Sequence, residues 1–316
     1  MRYIETPSGL RLRPNHLLLM MYRYVSGVYE IGDLSALNYT KGFLDGSGGR
    51  DPRTVLTVSG HGIGEPEMWI AERIPGCEIE TMSFRLLDTQ LLQFLRSATR
   101  EDIEAAFDRF SRMVAPFAEL SRLAADPGLV PYWVEQSEIL ERGFDRWRLT
   151  VYSDSPLRIP AARRYDLIYV SQGSYWFSLE AAEVLRRRLN PGGLLVVLMP
   201  ARPPEGEPAP RFADSEPVAE AKRVLRSVLE SRGYTVDFHT KPLVDLQAMA
   251  ARRERIAFSV LAPASAVLLG ELILASLNEH ISDVDRLEAM EEAARRFPDL
   301  EVPVHEELEL SIVEAE

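Results

Sequence analysis

The segment TVLTVSGHGIGEPEMWIAERIPGCEIETMSF, residues 54–84, has the pattern of a strand, a glycine-rich loop, a helix and a second strand. Six strand-forming residues, Thr54–Ser59, lead into glycines at positions 60, 62 and 64. A polar, helix-compatible run follows, and a Pro-Gly turn leads into the second strand, Glu78–Met82. Glycines let a backbone approach a ligand closely, and free N–H groups at the start of a helix face that ligand. The segment therefore predicts a ligand-binding β-loop-α-β unit.

The spacing of the glycines does not choose the ligand, since similar loops bind NAD, FAD or S-adenosylmethionine and some only turn the chain. A second block, YDLIYVSQGSYWFSLEAAEVLRRRLNPGGLLVVLMP at residues 165–200, is more specific. It predicts a strand over Asp166–Ser171, a helix to about Leu189, a Pro-Gly-Gly turn and an apolar strand over Leu194–Met199. Together the two blocks resemble class I S-adenosylmethionine-dependent methyltransferases, in which a YDLI segment forms the fourth strand and a PGG turn precedes the fifth.

The resemblance implies an α/β fold with a Rossmann-like sheet of seven strands, mostly parallel, whose last strand is antiparallel. Residues 1–53 are expected to form a helical lid, and residues 54–316 an S-adenosylmethionine-binding domain. RLTVYSDSPLRIP from Arg148 is predicted to be the third strand, Tyr234–His239 the sixth, and the segment from His305 the last. Helical insertions are predicted at about 85–147 and 243–298.

The sequence leaves the roles of the helical segments open. N-terminal helices in such a fold either cover the active site or only shield an edge of the sheet. The insertion at 85–147 is either a lid or an oligomer contact, as in a homodimer.

The composition argues against several classes of protein. The 316-residue chain is 46% apolar, and its longest apolar runs fall far short of the roughly 20 residues that span a bilayer. Its first residues lack the apolar core of a signal peptide, so we expect a cytoplasmic location and no membrane partner. A net charge of -12 disfavours a nucleic-acid partner. Cys77 is the only cysteine, and the five histidines have no paired metal spacing, so no metal is expected.

The resemblance places the cofactor at the ends of the first, third and fourth strands. Its candidate residues there are Ser59, Gly60, His61, Gly62, Gly64, Asp154, Ser171 and Gln172. Asp154 stands where the family commonly has an acid that accepts a hydrogen bond from the adenine amino group. An aspartate at this position is also an ordinary turn residue, and His61 also fits a loop side chain that points to solvent.

Two acids that are common in the family are missing or displaced here. Thr57 or Val58 occupies the position near the end of the first strand. At the tip of the second strand, where the family acid binds both ribose hydroxyls, the register gives Ser83, whereas the chemistry favours Glu80 three residues earlier. A carboxylate accepts from two hydroxyls at once, and a serine oxygen is a poorer substitute. Ser83 and Glu80 are therefore alternatives for the ribose.

Further segments resemble histamine N-methyltransferase and its relatives: VSQGSYWF at Val170–Phe177, the helical stretch between the last two strands, and EELELSIVEA at Glu306–Ala315. This resemblance implies that the residue pair after the fourth strand, here Ser171 and Gln172, touches both cofactor and substrate. It also implies that a polar residue entering the last strand, here Glu306 or Glu307, binds the substrate amine. The candidate catalytic residues are Gln172, Glu307 and Asn38, and the candidate substrate-binding residues are Tyr22, Asn38, Tyr175, Trp176, Glu306 and Glu307.

The implied function is methylation of a small molecule by S-adenosylmethionine, as N-methylation of an amine or, alternatively, O- or carboxyl methylation. Transfer from a sulfonium to a neutral amine needs mainly positioning, because the cofactor carries its own leaving group. Two rival functions stay open. A nicotinamide-dependent oxidoreductase would need an acid at the second strand and a YxxxK proton relay, and neither is evident. The second rival is a methyltransferase-fold protein that binds a ligand or partner without catalysis, and the missing acids are the observation that supports it.

Overall fold

The computed structural model describes residues 3–28, 52–59, 67, 70, 74, 76–83, 86–144, 147–153, 159–171, 178–200, 216–235, 246, 248–263, 268–270, 281–296 and 301–315. The strands are β1 (Ile4–Glu5), β2 (Arg11–Leu12), β3 (Thr54–Ser59), β4 (Glu78–Ser83), β5 (Trp147–Ser153), β6 (Tyr165–Ser171), β7 (Leu189–Pro200), β8 (Arg252–Pro263) and β9 (Glu301–Glu314). The helices are α1 (Pro14–Val28), α2 (Leu86–Ser97), α3 (Arg100–Val114), α4 (Ala118–Ala124), α5 (Leu129–Phe144), α6 (Leu179–Arg186), α7 (Glu216–Ser231) and α8 (Asp283–Ala294).

Strands β3 to β9 form one seven-stranded sheet in the order β5-β4-β3-β6-β7-β9-β8. β3 is parallel to both of its neighbours, β4 and β6, and β5 and β7 continue the parallel arrangement on either side. β9 is antiparallel to both β7 and β8. The chain builds the sheet outward from β3 to β5 and then returns to β6 on the other side of β3. This order confirms the predicted Rossmann-like class I methyltransferase sheet with an antiparallel last strand.

Apolar side chains cover both faces of the sheet. Val55, Ile79 and Leu167 lie on one face and belong to a large buried cluster that includes residues of α1 to α5, α7 and α8. Leu56 and Ile168 lie on the other face, in a smaller cluster that includes α6. Parallel strands buried on both faces are nearly continuous apolar runs, and Leu194–Met199 of β7 is the clearest example in the sequence.

The N-terminal residues pack on the helices that follow β4. The indole nitrogen of Trp133 in α5 donates to the carbonyl oxygen of Met20 in α1 at 3.1 Å. The backbone N–H of Ser8 donates to Asp102 at 2.9 Å, and Asp102 also forms a capping box with Thr99 at the start of α3. The structure thus has helices in both of the regions 1–53 and 85–147, where helices were predicted, and these helices pack against one another. Their roles as a lid or as a homodimer contact stay predictions.

The prediction that residues 243–298 are helical was partly wrong. Arg252–Pro263 is strand β8, which pairs with β9 along its whole length. The predicted sixth strand, Tyr234–His239, begins with two residues that lie outside any strand, and its residues 236–239 lie outside the described residues. β8 runs along the edge of the sheet, where charged side chains are tolerated. Its charged RRER start therefore resembled a helix in the sequence, whereas the pairing with β9 determines the strand.

Within the described ranges, no helix is long and apolar enough to cross a bilayer. The same residues contain no group of three or more His, Cys, Asp or Glu side chains that could hold a metal ion. Cys77, which directly precedes β4, is buried and forms no disulfide.

Candidate functional site

Four neighbouring strands each end in a serine at their carboxyl end, and these four serines pair with one another in register as a serine row. Ser59 of β3 pairs with Ser83 of β4 and with Ser171 of β6, and Ser83 pairs with Ser153 of β5. The chain adds β4 and β5 on one side of β3 and then adds β6 on the other side, so the strand order reverses between β3 and β6. In open α/β sheets, ligands bind outside the carboxyl ends of the strands at such a reversal. Three of the predicted cofactor residues therefore meet at the edge where a ligand is expected.

The middle of β9 passes the same edge of the sheet. Leu308 pairs with Pro200, which is the last residue of β7. Glu306 and Glu307 directly precede Leu308, so the backbone of both residues lies at the carboxyl end of β7. The two glutamates predicted to bind the substrate amine thus share an edge with Ser171.

Most of the other predicted site residues lie outside the described residues, and their roles stay predictions. They are Asn38, Gly60, His61, Gly62, Gly64, Asp154, Gln172, Tyr175 and Trp176. Tyr22 is described and lies on α1, partly buried. Its ring packs so closely against Gly270 that a Cβ atom there would lie 2.8 Å from the ring. A role of Tyr22 in substrate binding also stays a prediction.

Glu80 lies inside the sheet, three residues before the tip of β4, and is 2% exposed. The guanidinium of Arg163 donates to one of its carboxylate oxygens, and the hydroxyl of Tyr165 donates to the other at 2.5 Å. Arg163 and Tyr165 lie at the amino-terminal end of β6, opposite to the serine row. Both oxygens of Glu80 are therefore engaged on that side. Ser83 and Glu80 stay alternative predictions for the ribose.

A buried acidic group below the serine row was not predicted from the sequence. Glu67 is 1% exposed, and its Oε1 lies within hydrogen-bond distance of the hydroxyls of Thr57 in β3 and Thr81 in β4, 2.8 Å away in the case of Thr81. The two hydroxyls are 2.9 Å apart. The other carboxylate oxygen, Oε2, has no hydrogen-bond partner among the described residues. Two threonines in the middle of adjacent buried strands were the available signal, because buried hydroxyls need a polar partner.

Asp166 connects three strands at the opposite, amino-terminal edge of the sheet. Its carboxylate accepts hydrogen bonds from the backbone N–H groups of Arg53 at 2.8 Å and Thr54 at 3.0 Å, and from the side-chain amide of Asn190 at 2.7 Å. Burial acts to raise the pKa of Asp166, but hydrogen bonds from Asn190, Thr54 and Arg53 outweigh it, so this pKa lies below its ordinary value. Asp166 therefore has a structural role away from the candidate site.

No family model and no curated protein sequence matches this chain. Several solved structures are similar to it in fold. YjhP from E. coli is 12% identical, with a TM-score of 0.42, and the match covers 94% of this chain and 99% of that chain. A SAM-dependent methyltransferase from Geobacter sulfurreducens in complex with S-adenosyl-L-homocysteine is 11% identical, with a TM-score of 0.43, over 97% of this chain and 98% of that chain.

A third similar structure is a phosphoethanolamine N-methyltransferase from Haemonchus contortus, in complex with phosphomonomethylethanolamine and S-adenosylhomocysteine. It is 10% identical, with a TM-score of 0.43, and the match covers 95% of this chain but 58% of that chain. Values this low do not assign an activity or a substrate. The order and directions of the strands give the conclusion on their own: the chain has the Rossmann-like sheet of the class I methyltransferase fold.

Proposed function

We propose that this chain is an S-adenosylmethionine-dependent methyltransferase that N-methylates an amine of a small molecule. The observation that carries the proposal is the position of the glycine-rich segment. It directly follows Ser59, at the point where the strand order reverses between β3 and β6. A ligand bound at this point meets the ends of several strands at once, so one site can contact a nucleoside and its amino-acid part together.

The residues that would hold the cofactor come from three strand ends. Ser83 stands at the tip of β4 and would accept from a ribose hydroxyl, and Asp154, just after β5, would accept from the adenine amino group. The residues that would contact the rest of the cofactor are Ser59, Gly60, His61, Gly62, Gly64, Ser171 and Gln172. S-adenosylmethionine, when bound, supplies a methyl group on a sulfonium leaving group.

The protein's own contribution is to hold an amine in line with that methyl group. Holding two reactants in the correct geometry can supply roughly 7 to 11 kcal/mol of the barrier. Glu306 and Glu307 lie at the edge shared with Ser171, and a carboxylate there can bind an ammonium group and accept its proton before attack. Gln172 and Asn38 would orient the amine, and the other proposed substrate contacts are Tyr22, Tyr175 and Trp176.

Methyl transfer to matched substrates tests this proposal. The purified chain is incubated with S-adenosylmethionine carrying a labelled methyl group and with small amines, each paired with the alcohol and the carboxylic acid of the same carbon skeleton. We expect labelled product from at least one amine and none from its partners. Glu307→Gln is expected to lower kcat by about a hundredfold. Glu309→Gln, two residues further along β9 and paired with Arg253 at 2.6 Å, is the matched control.

Two other outcomes would overturn N-methylation. Labelled product from alcohols or acids alone would establish O- or carboxyl methylation instead. Binding of the cofactor without transfer to any acceptor would favour the second candidate, a methyltransferase-fold protein that binds without catalysis. That candidate is supported by the serine at the tip of β4, where a carboxylate would bind the ribose more strongly.

A further inference from the structure

Glu67 is a buried carboxylate of which only one oxygen is engaged. Its Oε1 accepts hydrogen bonds from the hydroxyls of Thr57 and Thr81, which pair with each other in the β3–β4 register. Its Oε2 is buried and has no donor within the part of the chain that the structure describes. A buried acceptor without a donor costs free energy, so a purely structural network would be expected to satisfy both oxygens.

Among the described residues, Glu67 also has no ion-pair partner. Both of its hydrogen-bond partners there are neutral hydroxyls. A buried carboxylate normally has a positively charged partner, because the desolvation of an uncompensated charge is expensive. A ligand that brings a cationic N–H group satisfies both the charge and the free oxygen.

The position of Glu67 fits a ligand at the serine row. Thr57 is two residues before Ser59, which corresponds to about 7 Å along the strand. Glu67 comes eight residues after Ser59 in the sequence, and its carboxylate lies beside Thr57, two residues below the carboxyl edge of the sheet. Glu80, by contrast, has both of its oxygens occupied by Arg163 and Tyr165.

We propose that Oε2 of Glu67 binds the α-ammonium group of the cofactor's amino-acid part and thereby positions the cofactor. This inference rests on the proposed function and specifies which residue binds the ammonium group of the cofactor. S-adenosylmethionine carries two cationic groups, the sulfonium and the ammonium, and only the ammonium has N–H donors. S-adenosylhomocysteine retains the ammonium and lacks the sulfonium, so it is the suitable probe for binding.

Calorimetry with two ligands and three proteins tests the assignment. The ligands are S-adenosylhomocysteine and its analogue in which hydrogen replaces the α-amino group. The proteins are the wild type, Glu67→Gln, and Asp166→Asn as a control that also removes a structural carboxylate, but at the opposite edge of the sheet. We expect the wild type to bind S-adenosylhomocysteine at least about tenfold more tightly than the analogue. Glu67→Gln should bring this ratio to within about twofold of one, and Asp166→Asn should leave it unchanged.

The possible results separate this inference from the function on which it rests. A ratio that Glu67→Gln leaves unchanged, or a wild-type ratio near one, would overturn the role of Glu67 while the cofactor assignment stands. Failure of the wild type to bind S-adenosylhomocysteine at all would overturn the proposed function and this inference with it. If Glu67→Gln does not fold, Thr81→Val provides a second variant. It removes one donor from Oε1, and we expect it to reduce the wild-type ratio by about threefold; an unchanged ratio would count against the assignment.

Discussion

The carboxylate of Glu80 is bound between the guanidinium of Arg163 and the hydroxyl of Tyr165, with a distance of 2.5 Å to the latter. This arrangement connects the interior of β4 to the start of β6 and accounts for both oxygens of Glu80. We therefore predict that Glu80→Gln lowers the free energy of unfolding by about 1 to 3 kcal/mol, because a buried charged pair loses one member. Its affinity for S-adenosylhomocysteine should stay within about twofold of the wild type, as measured by urea unfolding and calorimetry.

Ser83 should behave in the opposite way. Ser83→Ala at the tip of β4 is expected to weaken S-adenosylhomocysteine binding by about threefold to tenfold, because an acceptor for the ribose is lost, while changing the stability little. The two variants together decide which residue faces the ribose. Weakened binding in Glu80→Gln with unchanged binding in Ser83→Ala would reverse the assignment.

The imidazole of His16 predicts a specific dependence of stability on pH. His16 is buried, and burial, with a smaller effect of nearby Arg13, lowers its pKa from 6.5 to about 4. The unfolded chain therefore takes up a proton at a higher pH than the folded chain. The stability linked to His16 is complete above pH 6.5 and is lost as the pH falls towards 4, at about 1.4 kcal/mol per pH unit and about 3 kcal/mol in total.

The variant His16→Asn isolates this contribution. Asparagine retains an acceptor for the backbone N–H of Arg13, which His16 binds through Nδ1 at 2.9 Å, and it does not titrate in this range. The difference in the free energy of unfolding between wild type and variant should shrink as the pH falls from 6.5 to 4. A difference that stays constant over this range would show that His16 is not buried as a neutral ring.

Gly193 should be far more sensitive to substitution than its neighbour Gly192. A Cβ atom on Gly193 would lie 2.9 Å from the carbonyl oxygen of Asn190, 3.0 Å from that of Tyr165 and 3.1 Å from that of Asp166. These are backbone atoms of paired strands, so moving them aside would cost free energy of folding. We expect Gly193→Ala to cost about 2 to 3 kcal/mol of stability.

Gly192→Ala is the matched control for that comparison. Gly192 has a φ of 74°, and no atom of the described residues lies within 4 Å of the position that a Cβ atom would take. Alanine there meets only the backbone penalty of a positive φ, about 1 kcal/mol. Urea unfolding of both variants measures the two costs. Equal costs would mean that the Pro-Gly-Gly segment needs its glycines only for the turn and not for the close packing of β7 on β6.

The parts of the fold that could be predicted from the sequence are those where local pattern and tertiary role agree. Thr54–Ser59 and Asp166–Ser171 are short runs between loop or turn signals, and both are central strands of the sheet. β8 was missed because its charged start favours a helix locally, while its strand conformation depends on pairing with β9, far away in the sequence. The hairpin of β1 and β2 was also missed, since strands of two residues leave almost no periodic pattern.

The candidate site was predictable in position but not in detail. The glycine-rich segment and Ser171 identify the strand ends, because both follow recognisable strands. No spacing rule predicts the contact of Arg163 with Glu80, which bears on the open choice between Ser83 and Glu80 for the ribose. Glu67 was missed because a glutamate in a polar, helix-compatible run looks like surface, and only the fold brings it onto Thr57.

Whether this fold binds S-adenosylmethionine can be measured by calorimetry, with NAD as competitor and Gly62→Arg as the control. Gly62 lies in the glycine-rich segment after β3, where a long cationic side chain would fill the space that a ligand needs. We expect micromolar affinity for S-adenosylmethionine in the wild type, no competition by NAD, and loss of binding in the variant. A well-folded wild type that binds neither S-adenosylmethionine nor S-adenosylhomocysteine would contradict it.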